Sequence, residues 1–306
     1  MASSDAISPR AEYARRMQRV LDHIDTHLAD ALELKSLAGL AHFSPFHFHR
    51  VFAGWMGETV GDYLRRRRLE RAAWLLRHRP AAPVLNVALE VGFGSGEAFT
   101  RAFKLRYGAA PSTWRQRRNP DQAQRNPDQA WRSAPRQHVG IDPTLKDAPM
   151  LNVELHQLPP VRVAALRRVG PYGSPIGEFW AQRFIPWAQA QQLPIGTRYG
   201  LSYDDPIDTP PSQCRYDAAM EVAADYQPQD GAHLLELPGG LYAVAHFHGA
   251  SADIERAWPW LFREWLPGSG YQIDDRPCFE RQGCNDIGGG PGLPFSCDIC
   301  IPVRPL

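Results

Sequence analysis

No apolar run in these 306 residues approaches the roughly 18 needed to cross a bilayer, which argues against a helical membrane span. The opening stretch, MASSDAISPR, lacks the charged-then-apolar order of a signal peptide. Cysteine does not occur before Cys214, and the later ones are Cys214, Cys278, Cys284, Cys297 and Cys300. An odd count without an export signal argues against a disulfide framework and predicts reduced thiols in the cytoplasm. Net charge is nearly absent, at +1. What is present is 43% hydrophobic and 22% charged residues, the composition of a soluble globular chain, and the length predicts two domains.

The small net charge hides an asymmetry. Residues 1–118 hold 19 Lys+Arg against 11 Asp+Glu, and residues 119–306 hold 15 against 22. The front is therefore +8 and the back −7, together the stated +1. A basic front half predicts a polyanion partner and an acidic back half a different task.

Hydrophobic periodicity divides the chain in the same place. Helical spacing runs over about 12–28, 33–41, 59–78, 84–91 and 95–107, with a further helix opening at Ser44, an acceptable N-cap followed by Pro45. Residues 115–150 are polar, proline-containing and carry RNPDQA twice, which reads as a linker. From about 151 short runs such as VRVAALRRV, YDAAMEV, GLYAVAHFH and CDICIPV read as strands, with helices over about 174–192 and 251–266. The expected domains are 8–118, all-α, and 150–306, α+β, joined by 119–149.

Each half repeats itself. LAGLAHFS at 37–44 parallels VALEVGFGS at 87–95, and beyond the turn Phe48, Arg50 and Phe52 match Phe99, Arg101 and Phe103. Each copy is a short helix, a tight turn and a second helix, so a helix-turn-helix is written twice. PPVRVAALRRVG at 159–170 parallels PGGLYAVAHFHG at 238–249, each a strand ending in glycine before an aromatic-rich helix. Two such strand–helix units can enclose a ligand cleft at a pseudo-twofold axis.

The histidines of HFSPFHFHRVF, residues 42–52, invite a metal reading that helical geometry opposes. At 3.6 residues per turn His47 and His49 point about 160° apart, whereas helical metal pairs use i, i+4. Phe48, Val51, Phe52 and Trp55 form one apolar stripe toward the core, leaving Phe46, His49, Arg50 and Ala53 opposite and His47 at the border. In the second unit Ala98, Phe99, Ala102 and Phe103 face inward, and Glu97, Thr100, Arg101 and Lys104 face out. Outward Arg, His, Thr and Lys suit a major groove, where Arg donates twice to guanine and Phe46 meets a thymine methyl. Arg50→Ala is expected to weaken sequence-specific binding more than His47→Ala. The run Arg65, Arg66, Arg67, Arg68 spreads around its helix, so its members are expected to divide between phosphates and solvent.

The stretch from LAGLAHFSPFHFHRVFAGW through LRRRRLERAAWLL, NVALEVGFGS and FTRAF to GAAPSTWR resembles the AraC/XylS DNA-binding domain over about 90 residues. That resemblance implies two recognition helices on successive major-groove segments of double-stranded DNA. By position it assigns Phe46, His49 and Arg50 to one segment and Gly96, Glu97, Thr100 and Arg101 to the other. Gly96 offers no side chain and Glu97 is acidic, so Thr100 and Arg101 are expected to matter most there. The order of GPYG, YGLSYDDP, CRYDAAMEV, PGGLYAVAHFHG, RPCFER and CDICIPV is similar to the gyrase-inhibitor-like effector-binding domain. There a cleft between strand–helix repeats takes organic, often cationic and aromatic molecules, and the resemblance implies Glu280 as its acid. Trp180, Tyr203, Trp258 and Phe279 are the aromatic candidates for cation–π attraction beside it.

Cys297 and Cys300 lie at i and i+3 on a strand, hence on opposite faces, and His246 and His248 share a face without recognisable co-ligands. No metal, cofactor or catalytic residue is expected. The reading is a cytoplasmic transcriptional regulator that binds DNA and a small effector, with RNA polymerase as a further contact and no membrane partner. Two alternatives remain open: hydrolysis of a bound small molecule using Glu280 with a neighbouring tyrosine, and sequestration of a protein.

Overall fold

The computed structural model describes residues 7–116, 151–194, 196–204, 209–283 and 294–306. The expected linker 119–149 and Cys284 lie outside the described residues. The chain divides into two compact units that interleave in sequence: Ala14–His42 with Met56–Gly140, and Met1–Tyr13 with Phe43–Trp55 and Ile141–Leu306.

Six helices of the front half follow the periodicity closely, α1 (Pro9–Thr26), α2 (Leu34–Ala41), α3 (Phe48–Met56), α4 (Val60–His78), α5 (Val84–Glu90) and α6 (Gly96–Tyr107), and a short α7 (Pro111–Gln116) follows that the periodicity did not indicate. Thr59 caps α4 by accepting from the Asp62 N–H at 3.0 Å, and Ser95 caps α6 by accepting from the Ala98 N–H at 3.2 Å. In the helical unit, the apolar sides of α4, α5 and α6 close on one another through Leu69, Leu75, Leu76, Val87, Phe99 and Phe103, with Trp114 of α7 against Phe103.

The arginine run of α4 departs from expectation. Arg66 and Arg67 are 4% and 1% exposed, so both are buried and neither faces solvent. Arg66 pairs with Glu58 at 2.6 Å and Glu70 at 3.0 Å, and Arg67 with Asp25 at 2.8 Å and Glu70 at 2.9 Å. Arg68 donates to the Leu28 and Asp30 carbonyls. Only Arg65 of the four is exposed, beside Asp62. Four successive positions cover a whole turn, so part of the run had to enter the core, and carboxylates there satisfy the buried guanidinium groups.

The other unit is built on an antiparallel sheet. Its described strands are β1 (Val153–Leu158), β2 (Val161–Val169), β3 (Arg198–Ser202), β4 (Arg215–Glu221), β5 (His233–Leu237), β6 (Gly240–Gly249), β7 (Tyr271–Ile273), β8 (Phe279–Gln282) and β9 (Phe295–Pro305). They run in the order β1-β6-β9-β8-β3-β4-β2-β5, with β7 on β9. Two helical segments join them: α8, composed of Ser174–Phe179, Trp180–Phe184 and Ile185–Ala190, and α9, composed of Ser251–Trp260, Leu261–Trp265 and Leu266–Gly268.

The strand order reads the same from both ends once the duplicated units are matched. Ala164 pairs with Met220 as Ala243 pairs with Ile301, and Gly200 pairs with Ala218 as Glu280 pairs with Ile299. The pseudo-twofold axis therefore passes between β3 and β8, where the two halves of the sheet meet. The helices repeat as well. Each contains one π turn, Trp180–Phe184 and Leu261–Trp265, and each π turn is followed two residues later by Pro186 or Pro267. Proline has no N–H to return to the preceding turn, which favours the wider winding at that point.

Strand alternation sends successive residues to opposite faces. One face buries Val163, Tyr199, Leu201, Tyr242, Phe279 and Cys300. The other meets α8 through Ala164, Tyr216, Ala218 and Met220 against Phe184 and Trp187.

Candidate effector cleft and DNA-reading helices

The pseudo-twofold axis brings Glu280 of β8 opposite Gly200 of β3. A Cβ on Gly200 would come within 2.2 Å of the Tyr216 hydroxyl oxygen and 3.3 Å of Glu280 Oε2. Glycine is thus what lets the Tyr216 hydroxyl and the Glu280 carboxylate share this space. A tryptophan reaches each of them from one of the duplicated helices. Trp180 of α8 donates its indole N–H to the Tyr216 oxygen at 3.0 Å, and Trp258 of α9 donates to Glu280 Oε1 at 3.1 Å.

Burial dominates the electrostatics. It pushes the Glu280 carboxyl up to about 7, against the smaller opposing effects of the Trp258 hydrogen bond and the Arg50 charge. Tyr216 is likewise driven well above the ordinary tyrosine range by burial and by the Glu280 charge. The β3–β8 junction therefore holds a poorly solvated acid bonded to one indole, with a second indole on the neighbouring Tyr216, chemistry that favours a compact or aromatic cation.

Two expected cleft residues lie elsewhere. Phe279 precedes Glu280 on the strand, so it faces the opposite side and packs on Tyr199 and Tyr242. Tyr203 also packs on that side, with its hydroxyl donating to Asp217 at 2.8 Å. Asp217 is fully buried, held by Arg167 through two 2.8 Å bonds and by His233 at 3.0 Å. Burial alone would raise its carboxyl, but the Arg167 and Tyr203 hydrogen bonds hold it below the ordinary range. Glu280, Trp180 and Trp258 are thus brought together, while Tyr203 and Phe279 are not. Sequence reading left out Gly200, which only the strand register reveals, and Tyr216, which stood among too many aromatics to be singled out.

The two helices expected to read DNA differ in their surroundings. On α6 Glu97, Arg101 and Lys104 are exposed, as is Leu105 at 90%. Thr100 is half-buried and donates its hydroxyl to the Gly96 carbonyl at 2.7 Å, and Gly96 lies near Leu85. Phe99 and Phe103 are buried beneath them.

Helix α3 belongs to the same compact unit as the sheet. Phe48, Val51 and Phe52 are buried, in line with the apolar stripe, and Phe46 is 72% exposed. His49 and Arg50 are half-buried. The Arg50 guanidinium does not stand open: it donates to the Ser202 carbonyl at 2.9 Å and lies 5.8 Å from the Trp258 ring centre. His47, expected at the border between faces, is buried and bonded to the Arg276 carbonyl at 2.8 Å. Burial, the largest effect, lowers its imidazole to about 4, so it is neutral near pH 7. Ser44 is no N-cap: α3 starts at Phe48, and the Ser44 hydroxyl donates to Asp275 at 2.5 Å. These partners come from segments more than 200 residues away, which local helix signals cannot register.

The remaining candidates are quiet. His246 and His248 are exposed, bonded to Asp298 at 2.6 Å and Ser296 at 2.9 Å. Cys214, Cys278, Cys297 and Cys300 are buried thiols outside any disulfide. Among the described residues no group of three or more His, Cys, Asp or Glu is placed to hold a metal ion, and no helix is long and apolar enough to cross a membrane.

Comparison with known proteins agrees with this architecture. The profile of the GyrI-like small molecule binding domain matches residues 151–304, and that of a helix-turn-helix domain matches 37–117. The DNA gyrase inhibitor of Edwardsiella piscicida is 32% identical over 158 residues, 50% of this chain and 99% of its own. The right origin-binding protein of Escherichia coli K12 is 28% identical over 294 residues, 92% of this chain and 95% of its own. Among solved structures, an AraC-type transcriptional regulator from Chromobacterium violaceum is 19% identical, with a TM-score of 0.32 over 35% of this chain and 96% of its own. An AraC-type helix-turn-helix region and a small-molecule-binding domain in one chain make a ligand-responsive transcription regulator, and this chain belongs to the GyrI-like family.

Proposed function

We propose that this regulator binds specific double-stranded DNA through residues 8–118 and answers to an organic cation, aromatic or lipophilic, held in residues 150–306, with 119–149 as the connection. The observation that carries the ligand class is the Glu280 carboxylate, set between β3 and β8 at the pseudo-twofold axis and bonded to the Trp258 indole N–H. A buried acid beside aromatic rings rewards a positive charge that brings its own apolar surface. Trp180 and Trp258 are the aromatic walls, and Gly200 leaves room for the Tyr216 hydroxyl beside Glu280.

On DNA, Phe46, His49 and Arg50 are assigned to one major-groove segment, and Gly96, Glu97, Thr100, Arg101 and Lys104 to the next. The exposed Arg101 and Lys104 of α6 support the second assignment, because Arg and Lys are the side chains that most often meet guanine and phosphate. The name of the Escherichia coli relative, an origin-binding protein, also favours DNA as a partner. RNA polymerase is a natural further contact of a regulator of this kind, in the cytoplasm.

The test is selection of bound fragments from genomic DNA by the full chain, at two salt concentrations, with and without tetraphenylphosphonium as a model cation. A discrete set of sites should be enriched, binding should fall steeply with salt through counterion release, and the cation should change site affinity several-fold. Enrichment of no sequence, or identical affinities with and without every cation tried, overturns the reading.

A further inference from the structure

Arg50 is an unexpected member of the cleft. It lies on α3, in the same compact unit as the sheet, and its guanidinium donates to the Ser202 carbonyl at 2.9 Å, at the end of β3. Its central carbon is 5.8 Å from the ring centre of Trp258, within cation–π range. The same indole donates its N–H to Glu280. The Arg50 charge is felt at Glu280 and at Cys278 and Tyr172 nearby. A side chain assigned to DNA reading thus already meets the aromatic ring that would receive a cationic effector, and that ring is bonded to Glu280.

The helix that carries Arg50 is fixed in this position by neighbours of the cleft. Ser44 donates to Asp275, and His47 is bonded to the Arg276 carbonyl, four residues before Glu280. Gly54 passes so close to α9 that a Cβ would meet Phe262 Cβ at 2.9 Å. Phe262 in turn stacks with Trp258 at 6.4 Å.

We propose that Arg50 is the resident cation of the effector site, and that a cationic effector binds beside Glu280 by displacing Arg50 from Trp258, releasing the guanidinium for DNA. This rests on the reading of the cleft as a cation site. A guanidinium offers one charge and a small planar surface, and it also keeps a bond to a carbonyl at the cleft rim. A lipophilic cation offers the same charge with far more apolar area, so it gains burial that Arg50 cannot. Displacement then couples the two ligands through one side chain. Whatever holds Arg50 on DNA empties the cleft for the effector, and whatever fills the cleft frees Arg50 for DNA, by the same factor in each direction.

The test measures tetraphenylphosphonium binding to the full chain by calorimetry for the wild type, Arg50→Met, Arg50→Gln and Glu280→Gln, together with binding of a random-sequence duplex pool. If Arg50 occupies the cleft about nine-tenths of the time, removing its charge tightens cation binding about tenfold. The cation should also strengthen duplex binding by the wild type and have no such effect on the Arg50 variants. Two neutral variants are used so that misfolding of one leaves the comparison intact. Wild-type binding with no gain, or a loss, in both Arg50 variants overturns the displacement idea while leaving the cation cleft standing. Absence of cation binding in the wild type and in both Arg50 variants removes the cleft reading itself, and the inference with it.

Discussion

Gly200 and Glu280 face each other across the β3–β8 pair, where the two halves of the duplicated sheet meet among the described strands. They are equivalent positions of the two repeats, each paired to its own partner strand in the same way. One copy holds a carboxylate and the other holds nothing, so the duplication yields an asymmetric site with a single acid. The first prediction follows from that asymmetry. Gly200→Ala puts a methyl 2.2 Å from the Tyr216 oxygen, an overpacking that costs about 1–3 kcal/mol by thermal or denaturant unfolding. Adding Tyr216→Phe removes the clashing atom, so the double variant should regain much of that loss. Additive effects in the double-mutant cycle would show that the two positions do not share space.

On the proposed reading, Glu280 would make binding of a cationic effector pH-dependent. With its carboxyl pushed up to about 7 by burial, the acid is largely protonated at pH 6 and ionised at pH 8. A cation binds the ionised form, so its affinity should rise through pH 7 and level off above pH 8, about tenfold between pH 6 and 8. Calorimetric titrations across this range with Glu280→Gln as control should show a flat, weak profile for the variant.

The same group predicts an unusual stability profile. Burial raises its carboxyl from the ordinary 4.5 to about 7, so the stability it contributes is present below pH 4.5 and is lost as pH rises through about 7. Glu280→Gln should therefore stabilise the ligand-free protein at pH 8, by on the order of 1 kcal/mol after allowing for partial exposure, with little change at pH 5. Chemical denaturation at the two pH values measures the difference.

The arginine run of α4 separates structure from DNA contact. Arg67→Ala removes the buried guanidinium that pairs with Asp25 and Glu70, a loss of about 3–5 kcal/mol. Arg65→Ala, at an exposed pair, should cost under about 1 kcal/mol. Urea unfolding of the two variants side by side checks the contrast.

The sequence was informative wherever the signal is local. Helical spacing placed six of the seven described front helices within a few residues and missed α7, alternation placed β2 at VRVAALRRV, and the paired motifs anticipated both duplications. Contacts between distant segments were not legible. Ser44 had the chemistry of an N-cap but serves Asp275, and Arg50 had the helical position of a groove reader but is held at Ser202. Phe279 shows a different shortfall: its strand was recognisable from the Glu280 motif, and pleating alone would have sent the two side chains to opposite faces.

The central claim is that Glu280 makes this cleft a cation site, and affinity for a matched pair of compounds tests it most directly. Tetraphenylphosphonium and neutral triphenylphosphine oxide present similar aromatic surface and differ in charge. Calorimetry on the full chain at pH 8 should show the cation bound at least about tenfold more tightly than the neutral compound, with the preference abolished in Glu280→Gln. Equal affinities in the wild type, or a preference that survives Glu280→Gln, would contradict the account.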